Sequence, residues 1–310
     1  MHAVAFTEFG AAPEMRELDV PEPAEGEVRV HVHAASVNGF DLAVANGYLK
    51  DMMEHRFPVV LGKDFAGTID AVGPGITGYA PGERVFGVVT KAYLGDGSFA
   101  EFATVPVAMG LAKLPESVTF AEGAALGLAG AAALSAIDAC APQAGQTVLV
   151  AGATGGVGTQ VVQLAVRAGA HVIATAHTDQ EQQYVTELGV AEVVDYTGDV
   201  AAAVLEAHPQ GVDAVVHLAG DPAPLLRAVR NDGKLISTLL GSPEQLPAES
   251  TTVVAVSANP SAANLDHLAD NQAKRHTNVR IQRVYGLADA PAALADFAGG
   301  TLGKLVITID

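Results

Sequence analysis

The sequence predicts an α/β protein in two parts, a compact barrel of short strands followed by a doubly wound parallel sheet. Three observations carry this. In the first third, Val28-Arg29-Val30-His31-Val32-His33 alternates apolar and polar residues between Gly/Pro turns, as half-buried strands do. Beyond Leu114-Pro115-Glu116 the strands become short continuous apolar runs separated by helical spacings, the mark of strands covered on both faces. A glycine-rich turn joins the first of these runs to its helix.

The elements follow in order. Turns fall at Glu25-Gly26-Glu27, Gly73-Pro74-Gly75 and Ala80-Pro81-Gly82-Glu83. Thr147-Val148-Leu149-Val150-Ala151 reads as a buried strand. Val157, Val161, Leu164, Ala165 and Ala168 repeat at helical spacing, Gly169 closes that helix, and residues 171–175 form the next strand. Further strands are expected at 192–195, 213–217 and 234–238, with helices between them. After Asn259-Pro260 come a helix, a strand at 279–284, a short helix from Pro291 and a strand at 304–308, which can return to the first part. The expected division is 1–118, 119–260 and a returning segment 261–310.

Of the 310 residues 49% are hydrophobic and 17% charged, a core-forming composition. The formal charge of -18 disfavours nucleic acid and anionic membrane surfaces as partners. A single cysteine, Cys140, excludes an internal disulfide and a thiolate zinc site. Its apolar neighbours suggest a small buried filler. The first residues lack a basic region followed by an apolar one, and no uninterrupted apolar stretch reaches the ~20 residues of a membrane span. A cytoplasmic protein is the expectation.

The turn Ala151-Gly152-Ala153-Thr154-Gly155-Gly156-Val157-Gly158 lets phosphate approach backbone amides at a helix N-terminus. Gly152, Ala153, Thr154, Gly155, Gly156 and Val157 are therefore expected to cradle the pyrophosphate of a dinucleotide. The spacing departs from G-x-G-x-x-G, but its setting between strand and helix is the required one. The next strand ends Ala174-Thr175-Ala176-His177-Thr178, with no acid at the place where NAD-binding units hold the ribose hydroxyls. His177 and Thr178 can instead meet a 2′-phosphate, so NADPH is the expected cofactor. Asp179 and the absence of Arg or Lys there run against it. Leu218-Ala219 and Leu239-Leu240 follow parallel strands, at the edge where such sheets hold ligands.

Several segments together resemble the zinc-independent quinone oxidoreductases (zeta-crystallin-like) of the medium-chain dehydrogenase/reductase superfamily. They are Ala35-Ser36-Val37-Asn38-Gly39-Phe40-Asp41, Pro58-Val59-Val60-Leu61-Gly62-Lys63-Asp64-Phe65-Ala66-Gly67, Gly82-Glu83-Arg84-Val85-Phe86-Gly87, Gly97-Ser98-Phe99-Ala100-Glu101-Phe102, Ala124-Ala125-Leu126-Gly127-Leu128-Ala129-Gly130, the glycine turn, and Gly303-Lys304-Leu305-Val306-Ile307. The resemblance runs almost end to end. It implies a GroES-like barrel, a Rossmann domain and a C-terminal return to the barrel, with a homodimer as the assembly.

Where zinc-dependent relatives carry a cysteine ligand and Gly-His-Glu, this chain carries Asn38 and Gly62-Lys63-Asp64. An amide and an ammonium do not make a catalytic zinc site. His31 and His33 share a strand face but lack a third ligand. Without a Lewis acid, the chemistry best served is hydride addition to a quinone or an α,β-unsaturated carbonyl, where charge spreads into a phenolate or enolate.

The resemblance places Asn38 beside the nicotinamide and substrate carbonyl; the other reading is a turn-forming Asn. Asp41 orients Asn38 or a water, or else caps a helix. Tyr48 is a candidate proton donor, with packing as its alternative. Lys63 stabilises an enolate or pairs with Asp64 or Asp41. Gly130 lies in the segment that relatives place near the nicotinamide, though Gly130-Ala131-Ala132-Ala133 lacks their hydroxyl. Tyr196 matches their adenosine-side tyrosine, and Gln180 stands where a Lys is frequent. Two other readings stay open. One is an enoyl-thioester reductase using a patch of Lys50, Arg56 and Lys63. The other is a non-catalytic NADPH-binding sensor or crystallin-like protein.

Overall fold

The computed structural model describes residues 1–309. By its internal contacts the chain forms two units, one comprising residues 1–131 with the chain beyond residue 259, the other residues 132–259.

The first unit is built around a seven-stranded sheet. Its spatial order is Leu111–Lys113, Arg84–Val88, Asp64–Val72, Glu27–Ser36, Lys304–Thr308 and Ile281–Gly286, while Phe102–Pro106 pairs with the first half of Glu27–Ser36. The terminal strand thus lies between a strand from the start of the chain, antiparallel through Val306 opposite Ser36, and Ile281–Gly286, which it meets in parallel. Val28, Val30 and Val32 are fully buried and pack with Phe6, Phe65, Phe99, Leu305 and Ile307. Each such side chain contributes about 1.5–3 kcal/mol by leaving water.

The alternate residues His31 and His33 form an aromatic layer on the other face of that strand. Their rings lie 4.7 Å apart, His31 stacks on Phe102 and His33 on Phe120. Burial lowers the pKa of His33. The helix Phe120–Cys140 is long and mostly apolar, although Glu122 and Asp138 interrupt its apolar run. It has 21 residues and is apolar enough to cross a membrane by composition, yet 67% of its most apolar window is buried within the fold, as in a core helix.

The second unit is a six-stranded, wholly parallel sheet of β1 (Thr147–Ala151), β2 (His171–Thr175), β3 (Glu192–Val194), β4 (Val212–His217), β5 (Val229–Ser237) and β6 (Thr252–Ala255), in the order 3-2-1-4-5-6. Helices α1 (Gly156–Arg167), α2 (Asp179–Glu187) and α3 (Val200–Ala207) connect strands. Alternate residues supply two cores. Val148, Val150, Val172, Ala174, Val216 and Ile236 pack with α1 residues Val161 and Val162. Leu149, Ile173, Val215 and Leu235 pack on the other face with Ala201 and Val204 of α3. This double burial is why the strands read as unbroken apolar runs. Cys140 is buried in the first of these cores and its thiol is pushed up to about 11 by burial, as suits a filler.

Candidate active site

The candidate residues fall into two groups, one in each unit. In the parallel sheet the glycine turn opens at the carboxyl end of β1. Gly152 adopts φ +89°, a left-handed conformation that a side chain rarely takes. A Cβ on Gly158 would stand 2.1 Å from the Gly152 carbonyl oxygen, so the helix starts tight against the turn. Gly155 is the N-cap of α1 and makes no side-chain cap. The first amides of α1, at Gly156, Val157 and Gly158, are thus left to an external acceptor. A Cβ on Gly155 would meet nothing nearer than 3.8 Å. As at any N-cap, a side chain there projects toward the amides of the first turn.

Leu218 donates its backbone N–H to the Ala151 carbonyl, and Ala219 lies against Gly152. Ser237 Oγ accepts from the Leu239 and Leu240 amides and is 2.9 Å from His217 Nδ1. The turn, Leu218-Ala219 and Leu239-Leu240 are therefore brought to the carboxyl ends of three adjacent strands. Ala219 and Leu239 are exposed, while Leu240 packs on the core.

Farther along the same edge, His177 Nδ1 lies 3.0 Å from the Asp195 carboxylate. Thr178 is the N-cap of α2 and its hydroxyl accepts from the Glu181 amide. Glu181 in turn accepts from the His177 and Thr178 amides and from the Tyr196 hydroxyl. Backbone amides are foremost in holding the carboxyl groups of Asp195 and, against its burial, Glu181 below their ordinary range. Of the two groups expected to meet a 2′-phosphate, the His177 imidazole is thus engaged by Asp195 and the Thr178 hydroxyl by the Glu181 amide.

In the first unit a buried polar cluster surrounds Asp64, which is wholly inaccessible. Its Oδ2 accepts from Ser36 Oγ at 2.6 Å, from Asn38 Nδ2 at 2.8 Å and from Lys304 Nζ at 3.4 Å, and its Oδ1 accepts from the Leu128 amide at 2.6 Å. Lys304 also donates to Asn38 Oδ1 at 2.6 Å and to the Val37 carbonyl at 2.9 Å. The Asn38 amide is consequently held at both ends, which favours a structural role over contact with a substrate carbonyl. Asn38 is also the N-cap of the short helix Gly39–Ala45, and Asp41 accepts its N–H at 2.8 Å. Asp41 therefore caps the helix and orients the Asn38 backbone. Burial, then the charge of Asp64, raises the Asp41 carboxyl to about 7. Burial also lowers the Lys304 ammonium, against the pull of Asp64 and Asp41.

Lys63 makes neither expected ion pair. It donates to the Val89 carbonyl at 2.9 Å and lies 5.0 Å from the centre of the Phe40 ring. Burial lowers its pKa, with Asp41 pulling the other way. Tyr48 is 73% exposed, which is a surface position and not that of a buried proton donor. Gly130 is buried, where a Cβ would come 2.8 Å from Leu268, so its smallness serves helix packing. Of the expected basic patch, Arg56 pairs with Glu54 and covers the Tyr93 ring, while Lys63 donates to Val89. Sequence reasoning missed Lys304 and Ser36. The one available signal was a lysine opening an otherwise apolar strand.

The comparisons with known proteins agree with this architecture. Residues 24–116 match the alcohol dehydrogenase GroES-like domain, and residues 156–253 match the zinc-binding dehydrogenase family. The chain is 30% identical to the chloroplast envelope quinone oxidoreductase homolog of Arabidopsis thaliana, over 99% of this chain and 98% of the relative. The quinone oxidoreductase of Coxiella burnetii superposes with a TM-score of 0.89 at 25% identity, covering 100% and 99% of the two chains. A mycobacterial structure complexed with NADPH superposes with a TM-score of 0.86 at 28% identity, covering 99% of each. With its barrel, its parallel sheet of order 3-2-1-4-5-6 and these likenesses along its whole length, the chain belongs to the quinone oxidoreductase, zeta-crystallin-like family of the medium-chain dehydrogenase/reductase superfamily.

Proposed function

We propose that this protein reduces a quinone or an α,β-unsaturated carbonyl compound with a nicotinamide dinucleotide and without zinc. The observation that carries this reading is the saturated Asp64 cluster. Both carboxylate oxygens accept hydrogen bonds, the Asn38 amide is held at both ends, and a buried ammonium stands among them. Such a donor set does not fit a zinc ion, whatever the name of the matched family.

The glycine turn fits a dinucleotide. The amides of Gly156, Val157 and Gly158 hold the pyrophosphate, with the dipole of α1 behind them. When bound, the cofactor supplies the hydride. The chain's part at the acceptor falls to Lys63, which uses one hydrogen bond on Val89 and retains two N–H groups. Those groups stabilise the developing oxyanion. The lowered pKa eases proton delivery to it.

NADPH is the donor the sequence favours, and a similar mycobacterial structure holds it. The surroundings of His177 support a second reading, NADH. No Lys or Arg occurs between Arg167 and Arg227, and Asp195 and Glu181 engage His177, Thr178 and Tyr196. A phosphate dianion there would meet carboxylates without a cation, while a ribose diol would find acceptors. The small-molecule partner, a homodimeric assembly and a cytoplasmic setting complete the proposal.

The test is NADPH and NADH oxidation at 340 nm by chelator-treated protein, against benzoquinones, small enones and crotonyl thioesters. Turnover with quinone or enone is expected, and the kcat/KM ratio of the two cofactors decides between the readings. Activity lost on chelation while the chain stays folded by far-UV circular dichroism overturns the zinc-free mechanism. Tight cofactor binding with no turnover of any acceptor overturns the enzymatic reading in favour of a sensor.

A further inference from the structure

Away from the nicotinamide edge, the parallel sheet carries a second convergence of side chains. His171 opens β2, Glu192 opens β3, and His208 is the C-cap of α3. All three lie at the amino end of the strands, opposite the glycine turn. Glu192 Oε1 is 2.5 Å from His171 Nε2 and 2.9 Å from His208 Nε2. The three donor atoms all fall within 4.8 Å of one another, and among the described residues this is the one group of three His, Cys, Asp or Glu side chains so arranged.

We propose that His171, Glu192 and His208 form a binding site for a divalent transition metal ion of the zinc type. The donor set is two imidazoles and a carboxylate, which suits Zn²⁺, Co²⁺, Ni²⁺ or Cu²⁺ over Mg²⁺ or Ca²⁺. Ligands about 2.0–2.2 Å from a tetrahedral ion stand somewhat over 3 Å apart. The imidazoles and carboxylate reach that spacing by small side-chain rotations, because the backbone already brings them together. Each ligand comes from a different element, and two of those elements are adjacent strands, so the frame is rigid. The side chains are 39%, 34% and 23% exposed, which leaves an entry path and a fourth position for water. The two rings lie 5.7 Å apart at 61°, tilted and not stacked on each other. The formal charge of -18 raises the local concentration of cations. An ion here ties β3 and the end of α3 to β2, a structural clip at the end of the sheet opposite the glycine turn.

The experiment uses the full chain without a polyhistidine tag, stripped with chelator and dialysed. ZnCl₂ is titrated by calorimetry, and CoCl₂ by its visible absorption. One ion per chain is expected, with thermal stability rising as zinc saturates. His171→Ala and His208→Ala should each weaken binding at least tenfold, since even changes behind a ligand cost about 10–100-fold. They should also abolish the thermal shift, with an unchanged far-UV spectrum. His31→Ala/His33→Ala should leave binding intact. No saturable binding by the wild-type chain overturns the proposal. So does binding that survives both His171→Ala and His208→Ala, or that is lost in the His31/His33 variant.

Discussion

Replacing Asp41 by asparagine removes an ionisable group from the most enclosed part of the first unit while keeping an acceptor for the Asn38 N–H. The carboxyl is raised from 3.8 to about 7 by burial and by the neighbouring Asp64 charge. Below about pH 3.8 the group is protonated whether the chain is folded or not. Between there and about pH 7 the folded state keeps a proton that the unfolded state releases, so stability falls as pH rises. The slope is about 1.4 kcal/mol per pH unit and the total about 4 kcal/mol above pH 7. A carboxamide in its place does not titrate and escapes this loss. The Asp41→Asn variant should therefore gain on the wild type by about 4 kcal/mol between about pH 4 and pH 8, on top of a pH-independent offset from repacking. Urea unfolding followed by far-UV circular dichroism measures it, since the chain contains no Trp. A wild-type-to-variant difference that stays constant across that range would refute the reasoning.

Four other outcomes are expected. Lys304→Met leaves Asp64 charged without a counter-ion and should cost about 3–5 kcal/mol, while Asp64→Asn combined with Lys304→Met should cost less than the single change; urea midpoints at one pH decide it. Gly155→Ala places a methyl in open space before the α1 amides, so the melting temperature should hold while the dinucleotide Kd rises at least tenfold. Lys63→Met should lower kcat about 100-fold with little change in cofactor affinity, in line with the loss of one oxyanion donor. Tyr48→Phe should leave kcat within about twofold, because the ring stands at the surface.

The parallel sheet was largely legible because its strands are buried on both faces and its turns need glycine. β1 and β2 have the bounds that periodicity suggests. β6 was missed, although Thr252-Val253-Val254-Ala255 is rich in β-branched residues, because an edge strand with partly exposed side chains lacks the flanking pattern of the inner ones. The strand expected at 279–284 begins two residues later, at Ile281. In the candidate site, the glycine turn and the strand-end leucines could be placed from sequence, since their roles follow from backbone position. The Asp64 cluster could not. Its members Ser36, Asn38, Asp64, Leu128 and Lys304 are joined only by tertiary pairing, with Lys304 standing 240 positions after Asp64. The same holds for His171, Glu192 and His208, which no linear spacing connects.

That separation has a consequence for how the chain is made. The residues of the second unit, 132–259, are continuous and leave the ribosome together. The first unit begins earlier but needs Lys304–Thr308 to fill the gap beside Glu27–Ser36. At about 5–20 residues/s, the ribosome takes roughly ten seconds to most of a minute to travel from Asp64 to Lys304. Throughout that interval the nascent barrel has an unpaired strand edge and a buried-to-be carboxylate still in water. The later-encoded domain is thus free to finish first, and the earlier-encoded one waits for the last strand to close it.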